Sequence, residues 1–201
     1  MPRESAVVGK IKELIEKNLQ SQTQKVERGA PLLYQVTVDN KLTVMNPETI
    51  RNPKRGSSAF QTDLCIFERR PDNIWLPRVV FEFKTGITTH DVLTYGVKAQ
   101  KHKDIYPYLR YGLVASDEIN VPGRFFTHNR GLDFCLCVHG LDDQALGEAI
   151  NALVLSELSS SRLLESISFG GKKARLFRTE MRLCYLDGMP DSRAQRSSCL
   201  S

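Results

Sequence analysis

Asp63, Glu82 and Lys84 are set into the most hydrophobic hairpin expected of this 201-residue chain, FQTDLCIFERRPDNIWLPRVVFEFKTG from 60 to 86. Side chains alternate faces along a strand, so Glu82 and Lys84 share one face while Phe81 and Phe83 share the other. Asp63 is opposite in phase to Leu64 and Ile66 on the preceding apolar run. If the two runs pair as a hairpin, all three charges converge at one end of the sheet. A buried, unpaired carboxylate costs several kcal/mol, so these acids require a lysine, a metal ion or both. Two carboxylates suit a hard divalent cation such as Mg²⁺, which takes oxygen ligands and retains several waters. Such an ion lowers the pKa of water and neutralises charge developing on a phosphate. Lys84 would hold the attacking water and stabilise its hydroxide form. The chemistry expected is metal-dependent phosphodiester hydrolysis. The bland alternative is an exposed edge strand whose Glu82–Lys84 pair faces water.

The surrounding pattern supplies elements to position these residues. Residues 4–20 place Val7, Val8, Ile11, Leu14, Ile15 and Leu19 on one stripe at helical spacing, predicting an amphipathic helix. LLYQVTVD (32–39) has strand composition, and NPETIRNPKRGSS (46–58) reads as a loop. Strands are expected at about 59–68 and 77–84, joined by RRPDN. Thr88 and Asp91 resemble a capping box that starts a helix ended by Pro107. A strand over 109–116, a loop INVPGRFFTHNRG, a strand over 132–140 and a helix from Asp142 to about Leu158 follow. KKARLFRTEMRLCYL (172–186) suits a strand or a helix, and the polar tail 187–201 is expected to be disordered. Strands followed by a helix and further strands indicate an α/β fold, a mixed sheet flanked by helices, in a single domain over 1–186.

Composition narrows the function classes. No apolar run approaches a membrane span, and residues 1–5 lead into a charged helix without a signal-peptide core; the chain reads as cytoplasmic. The five cysteines are odd in number and lack a C-x-x-C pair, which argues against a disulfide framework or a zinc site. Cys135 and Cys137 are expected on one face of a strand as buried thiols. The four histidines share no metal-ligand spacing, and FGGKK lacks P-loop spacing, so no nucleotide cofactor is expected. The net charge of +5 mildly favours a polyanionic partner.

Asp63, an intervening hairpin and then Glu82-Phe83-Lys84 resemble the signature of the PD-(D/E)xK nuclease superfamily, which includes many type II restriction endonucleases. The resemblance covers roughly the first two thirds of the chain, and the order read from Glu4 to Ser116 follows that family's helix, three strands, helix, strand. It implies a restriction-endonuclease-like core, Mg²⁺ held by Asp63, Glu82 and the carbonyl of Phe83, and a nucleophilic water supported by Lys84. Thr62 stands where that signature usually has proline. Glu4, near the centre of the first helical stripe, and Glu16, at its edge, are candidates to reach the metal region; solvated positions are the alternative. Gln100 is a candidate to approach the site, as glutamines do in some relatives, or it is a surface amide.

Three basic groups suit DNA: Arg51, Lys54 and Arg55 before the Asp63 run; Lys98 and Lys101 on the helix after Lys84; and Arg124, His128, Asn129 and Arg130 in the later loop. The expectation is a Mg²⁺-dependent endodeoxyribonuclease cutting double-stranded DNA, of type II restriction kind and homodimeric, because one site per chain favours twofold pairing on a duplex. A repair or recombination nuclease of the same superfamily and a catalytically silent DNA-binding module are the alternatives.

Overall fold

The apolar stripe near the N-terminus forms a helix, α1 (Pro2–Asn18), whose Val8, Ile11 and Ile15 are buried. The computed structural model describes residues 2–20, 22–44, 50–56, 58–176, 181 and 183, without the side chains of 2–4. Two short strands follow, β1 (Gln24–Arg28) and β2 (Pro31–Leu33), and then β3 (Ala59–Gln61), β4 (Leu64–Arg69) and β5 (Trp75–Lys84). The second half contributes α2 (Thr89–Ile105), β6 (Arg110–Ala115), α3 (Gly123–His128), β7 (Phe134–Cys137) and α4 (Asp143–Ser168). The expected α/β class is observed. Five strands form one mixed sheet in the order β1-β4-β5-β6-β7, and β2 and β3 form a separate two-stranded sheet. β1, β4 and β5 are antiparallel, whereas β5, β6 and β7 are parallel.

Strand β5 is central and covered on both faces, so Val79, Val80, Phe81 and Phe83 are all buried. On one face, Phe81 and Phe83 join Leu64, Ile66 and Val114 against α1 and the Leu146, Ile150, Val154 and Leu158 stripe of α4. On the other, Cys65, Val80, Tyr111 and Leu113 pack with Val92 and Ala99 of α2. Gly112 is needed in β6 because a Cβ there would lie 2.3 Å from the Phe134 ring. Without that Cβ, Phe134 lies across the strand and reaches Phe81 at 5.2 Å between ring centres.

The capping box is formed: Thr88 Oγ1 accepts from Asp91 N, and an Asp91 carboxylate oxygen accepts from Thr88 N. Asp142 caps α4 by accepting from Ala145 N at 2.8 Å, and that helix runs ten residues past the expected Leu158.

Two strand assignments require correction. The run 32–39 keeps ladder pairing only over β2, with an isolated bridge between Val38 and Val44. The first strand of the main sheet is instead QKVER, β1, whose four polar residues hide it from a hydrophobicity reading. As an edge strand it buries only Gln24 and Val26, while Lys25 lies over the Trp75 ring at 4.4 Å. The expected strand 59–68 is broken at Thr62–Asp63, where the chain passes from the small sheet to the main one. Ala30 O accepts both Thr62 N and Thr62 Oγ1 at 2.9 Å, anchoring that break. The loop expected over INVPGRFFTHNRG contains the short helix α3. Cys137 is buried and Cys135 half-buried on the α2 face, each with a free thiol. Residues 172–176 form no helix or strand, and most of 177–201 lies outside the described residues.

Candidate active site

The register of the β4–β5 hairpin pairs Leu64 with Phe81, so continuing it one residue puts Asp63 across from Glu82. Both side chains then belong to the α2 face, together with Lys84 two residues further along β5. Asp63 Oδ2 accepts from the backbone N–H of Phe83 at 2.8 Å, which fixes the carboxylate at the end of the strand. The chain break that displaces Asp63 from a regular ladder also leaves its side chain available to bond there. Asp63 and Glu82 thus meet at the end of the hairpin, and Lys84 lies on the same face of β5.

Glu82 is 2 % exposed. Its Oε1 accepts from Lys98 Nζ at 2.6 Å and from the hydroxyl of Tyr111. Tyr111 reaches it because Glu82 pairs with Leu113 in the parallel β5–β6 ladder, and Tyr111 is two residues back on the same face. Burial pushes the Glu82 carboxyl up to about 7; Lys98 opposes that rise, and the neighbouring charge of Asp63 adds to it. Burial also raises the Tyr111 hydroxyl strongly, so it stays protonated and donates to Glu82. Lys84 is half-buried, with Nζ 4.9 Å from the Tyr95 ring centre. Burial raises the Tyr95 phenol, and a hydrogen bond with Lys84 pulls the other way.

A cavity of ≈ 850 Å³ opens beside Asp63 and Glu82, lined also by Tyr95, Lys98, Arg28, Arg55 and Phe60. Among the described residues, no group of three or more His, Cys, Asp and Glu side chains gathers to hold a metal ion. Mg²⁺ needs fewer: one or two carboxylates suffice when waters and substrate phosphates complete its shell. Asp63, Glu82 and a strand-end carbonyl form a donor set of that kind, and a buried carboxyl raised to about 7 is one that a cation would stabilise in its charged form.

Several other expected site residues fall elsewhere. Glu16 is exposed and pairs with Lys12; α1 packs on the Phe81 and Phe83 face, so the sheet separates it from Glu82. The side chain of Glu4 lies outside the described residues. Gln100 is exposed on α2 and donates to Arg130 O at 3.1 Å, which ties the helix to the later loop rather than to the site. The residue that α2 turns toward the acids is Lys98, expected as a DNA contact and found within the site with its side chain 18 % exposed. Tyr95, one turn earlier, shares its face. That i, i+3 spacing was a signal available in the sequence, whereas Tyr111 and Arg28 offered none.

The remaining basic residues divide between exposed and structural positions. Arg51, Lys54, Arg55, Lys101, Arg124 and Arg130 are exposed. His128 is half-buried with Nδ1 2.8 Å from Thr127 Oγ1. Asn129 is committed to its own turn, accepting from Gly131 N and Leu132 N through Oδ1 and donating to Leu132 O, so it is not open to read a base edge. No helix among the described residues is long and apolar enough to cross a membrane.

The chain matches no protein-family model, and no curated protein is significantly similar to it.

Proposed function

We propose that this chain is a Mg²⁺-dependent endodeoxyribonuclease of the PD-(D/E)xK kind. Asp63, Glu82 and the carbonyl of Phe83 would hold the ion, which supplies charge neutralisation at the scissile phosphate and a lowered pKa for water. Lys84 orients that water and stabilises charge developing during attack. The observation that carries the reading is the meeting of Asp63 and the buried Glu82 on one sheet face, with Lys84 on the same strand. The order of α1, three antiparallel strands, α2 and a parallel strand supports a restriction-endonuclease-like core.

Lys98 refines the reading. Its ammonium compensates Glu82; a bound cation would do so in its place and would leave Lys98 to meet a DNA phosphate, the role its sequence context suggests. The substrate class is double-stranded DNA, and a twofold dimer lets one site per chain cut both strands. A restriction role takes first place and a repair role second.

The test is incubation of the purified protein with plasmid DNA and Mg²⁺, beside Asp63→Ala. The expected result is cleavage by the wild type alone, with Asp63→Ala still binding DNA in Ca²⁺. Cleavage at wild-type rate by Asp63→Ala would sink the assignment. Tight binding without cleavage by the wild type would favour a silent DNA-binding module.

A further inference from the structure

The cavity beside the acids is also lined by an aromatic group that this mechanism leaves unused. Tyr34 and Phe60 stack with ring centres 4.0 Å apart and planes at 17°. Phe60 is 38 % exposed and lines the cavity with Arg28 and Arg55. The ring is held in place: Phe60 pairs with Leu32 in the β2–β3 ladder, and His102 meets it edge-on at 5.9 Å. Lys98 Nζ, which bonds Glu82, lies 6.0 Å from the Phe60 ring centre. The ring therefore stands one side chain away from the Glu82 carboxylate.

A partly exposed aromatic ring, with one face backed by Tyr34 and with cations around it, matches the two parts of a nucleotide, a flat base and a phosphate. Inside a duplex a base has both faces covered by its neighbours, so away from the duplex ends this ring can meet only a base that has left the stack. We propose that Phe60 is a stacking platform for an unpaired base beside the phosphate that Asp63 and Glu82 act on, with Arg28 and Arg55 taking flanking phosphates. The preferred substrate is then duplex DNA that carries an overhang, a flap or a gap, over uninterrupted duplex. This rests on the nuclease reading for the cleavage step but not for the stacking.

The experiment uses the full chain in Ca²⁺ and two DNAs of one sequence, a blunt duplex and one with a single-stranded overhang containing 2-aminopurine. Wild type should bind the overhang DNA more tightly and quench its fluorescence. Phe60→Ala should lose the quenching and about tenfold or more in overhang affinity while keeping its affinity for the blunt duplex. Phe60→Trp should restore both. If thermal melting finds Phe60→Ala unfolded, Phe60→Leu keeps apolar bulk without the aromatic face and gives the same readout. Equal overhang affinity and quenching in wild type and the non-aromatic variant overturn the proposal, as does wild type binding neither DNA. A parallel incubation in Mg²⁺ separates the two ideas. Phe60-dependent quenching without any cleavage defeats the nuclease reading alone, and cleavage with Phe60-independent binding defeats the stacking alone.

Discussion

The ammonium of Lys98 stands 2.6 Å from Oε1 of Glu82, on the same oxygen that accepts the hydroxyl of Tyr111. Glu82 is thus compensated from a helix and from a neighbouring strand, and its carboxyl still titrates near 7 because burial outweighs both. Its folded value lies above the ordinary 4.5, so metal-free protein loses the associated stability as pH rises through about 7. Lys98→Ala should sharpen that loss. Removing one partner of a buried pair costs about 3–5 kcal/mol, and the partial exposure of Lys98 reduces this to roughly 1–3 kcal/mol above neutral pH. Mg²⁺ should return most of it, measured as a larger rise in Tm for Lys98→Ala than for wild type. Equal rises would mean that the ion does not replace the ammonium at Glu82.

Lys84 separates catalysis from surface charge. An ordinary exposed ion pair would contribute only ~0–1 kcal/mol to stability and nothing to cleavage. A lysine stabilising charge at the scissile phosphate should cost on the order of 2.7–4 kcal/mol of transition-state stabilisation when removed, a fall of about a hundredfold or more. Single-turnover cleavage by Lys84→Ala at saturating protein, with thermal melting alongside, reads the difference. Near-normal cleavage by a folded variant would remove Lys84 from the mechanism.

Arg124 and Arg130 are exposed at either end of the α3 segment. If DNA crosses this segment, alanine at both positions should weaken binding across sequences and flatten the dependence of log K on log salt by about two phosphate contacts, a slope change of ~1.8. A salt titration in Ca²⁺ that returns the wild-type slope would place the DNA path elsewhere.

His102 gives the fold an acid limit. It is fully buried, its Nδ1–H donates to Leu33 O at 2.8 Å, and burial lowers it from an ordinary 6.5 to about 4. In that window the unfolded chain binds a proton that the folded chain does not. Stability is therefore complete above 6.5 and falls as pH drops toward 4. The His102 share of the loss is about 3 kcal/mol. His102→Asn keeps a donor near Leu33 O without a titrating ring, so denaturant titrations of metal-free protein should give it a shallower acid limb than wild type. Identical acid limbs would show that protonation of His102 does not limit folding.

Local patterns in the sequence sufficed for much of the site. Alternation in VVFEFK assigned Glu82 and Lys84 to one face and Phe81 and Phe83 to the other, because strand geometry leaves a side chain only two choices. The α1 stripe and the Thr88–Asp91 box were legible for the same reason: a helix repeats its face every turn, and its cap bonds lie within four residues. These are short-range rules, and the α/β class followed from their order.

What the sequence did not disclose depended on contacts between distant residues. QKVER becomes a strand only because β4 offers it an edge, and its polar composition gave no warning. The break at Thr62–Asp63, which aims Asp63 at Phe83 N, is held by Ala30 thirty-two residues away from Thr62. Helical phase put Tyr95 and Lys98 on one face but could not say which strand residue that face would meet. Only the docking of α2 over β5, and the parallel register that carries Tyr111 to Glu82, decided that the buried acid has a lysine and a phenol as partners. Sequence periodicity fixes the direction of a side chain relative to its own backbone, whereas its partner is chosen by the packing of separate elements, which no local spacing encodes.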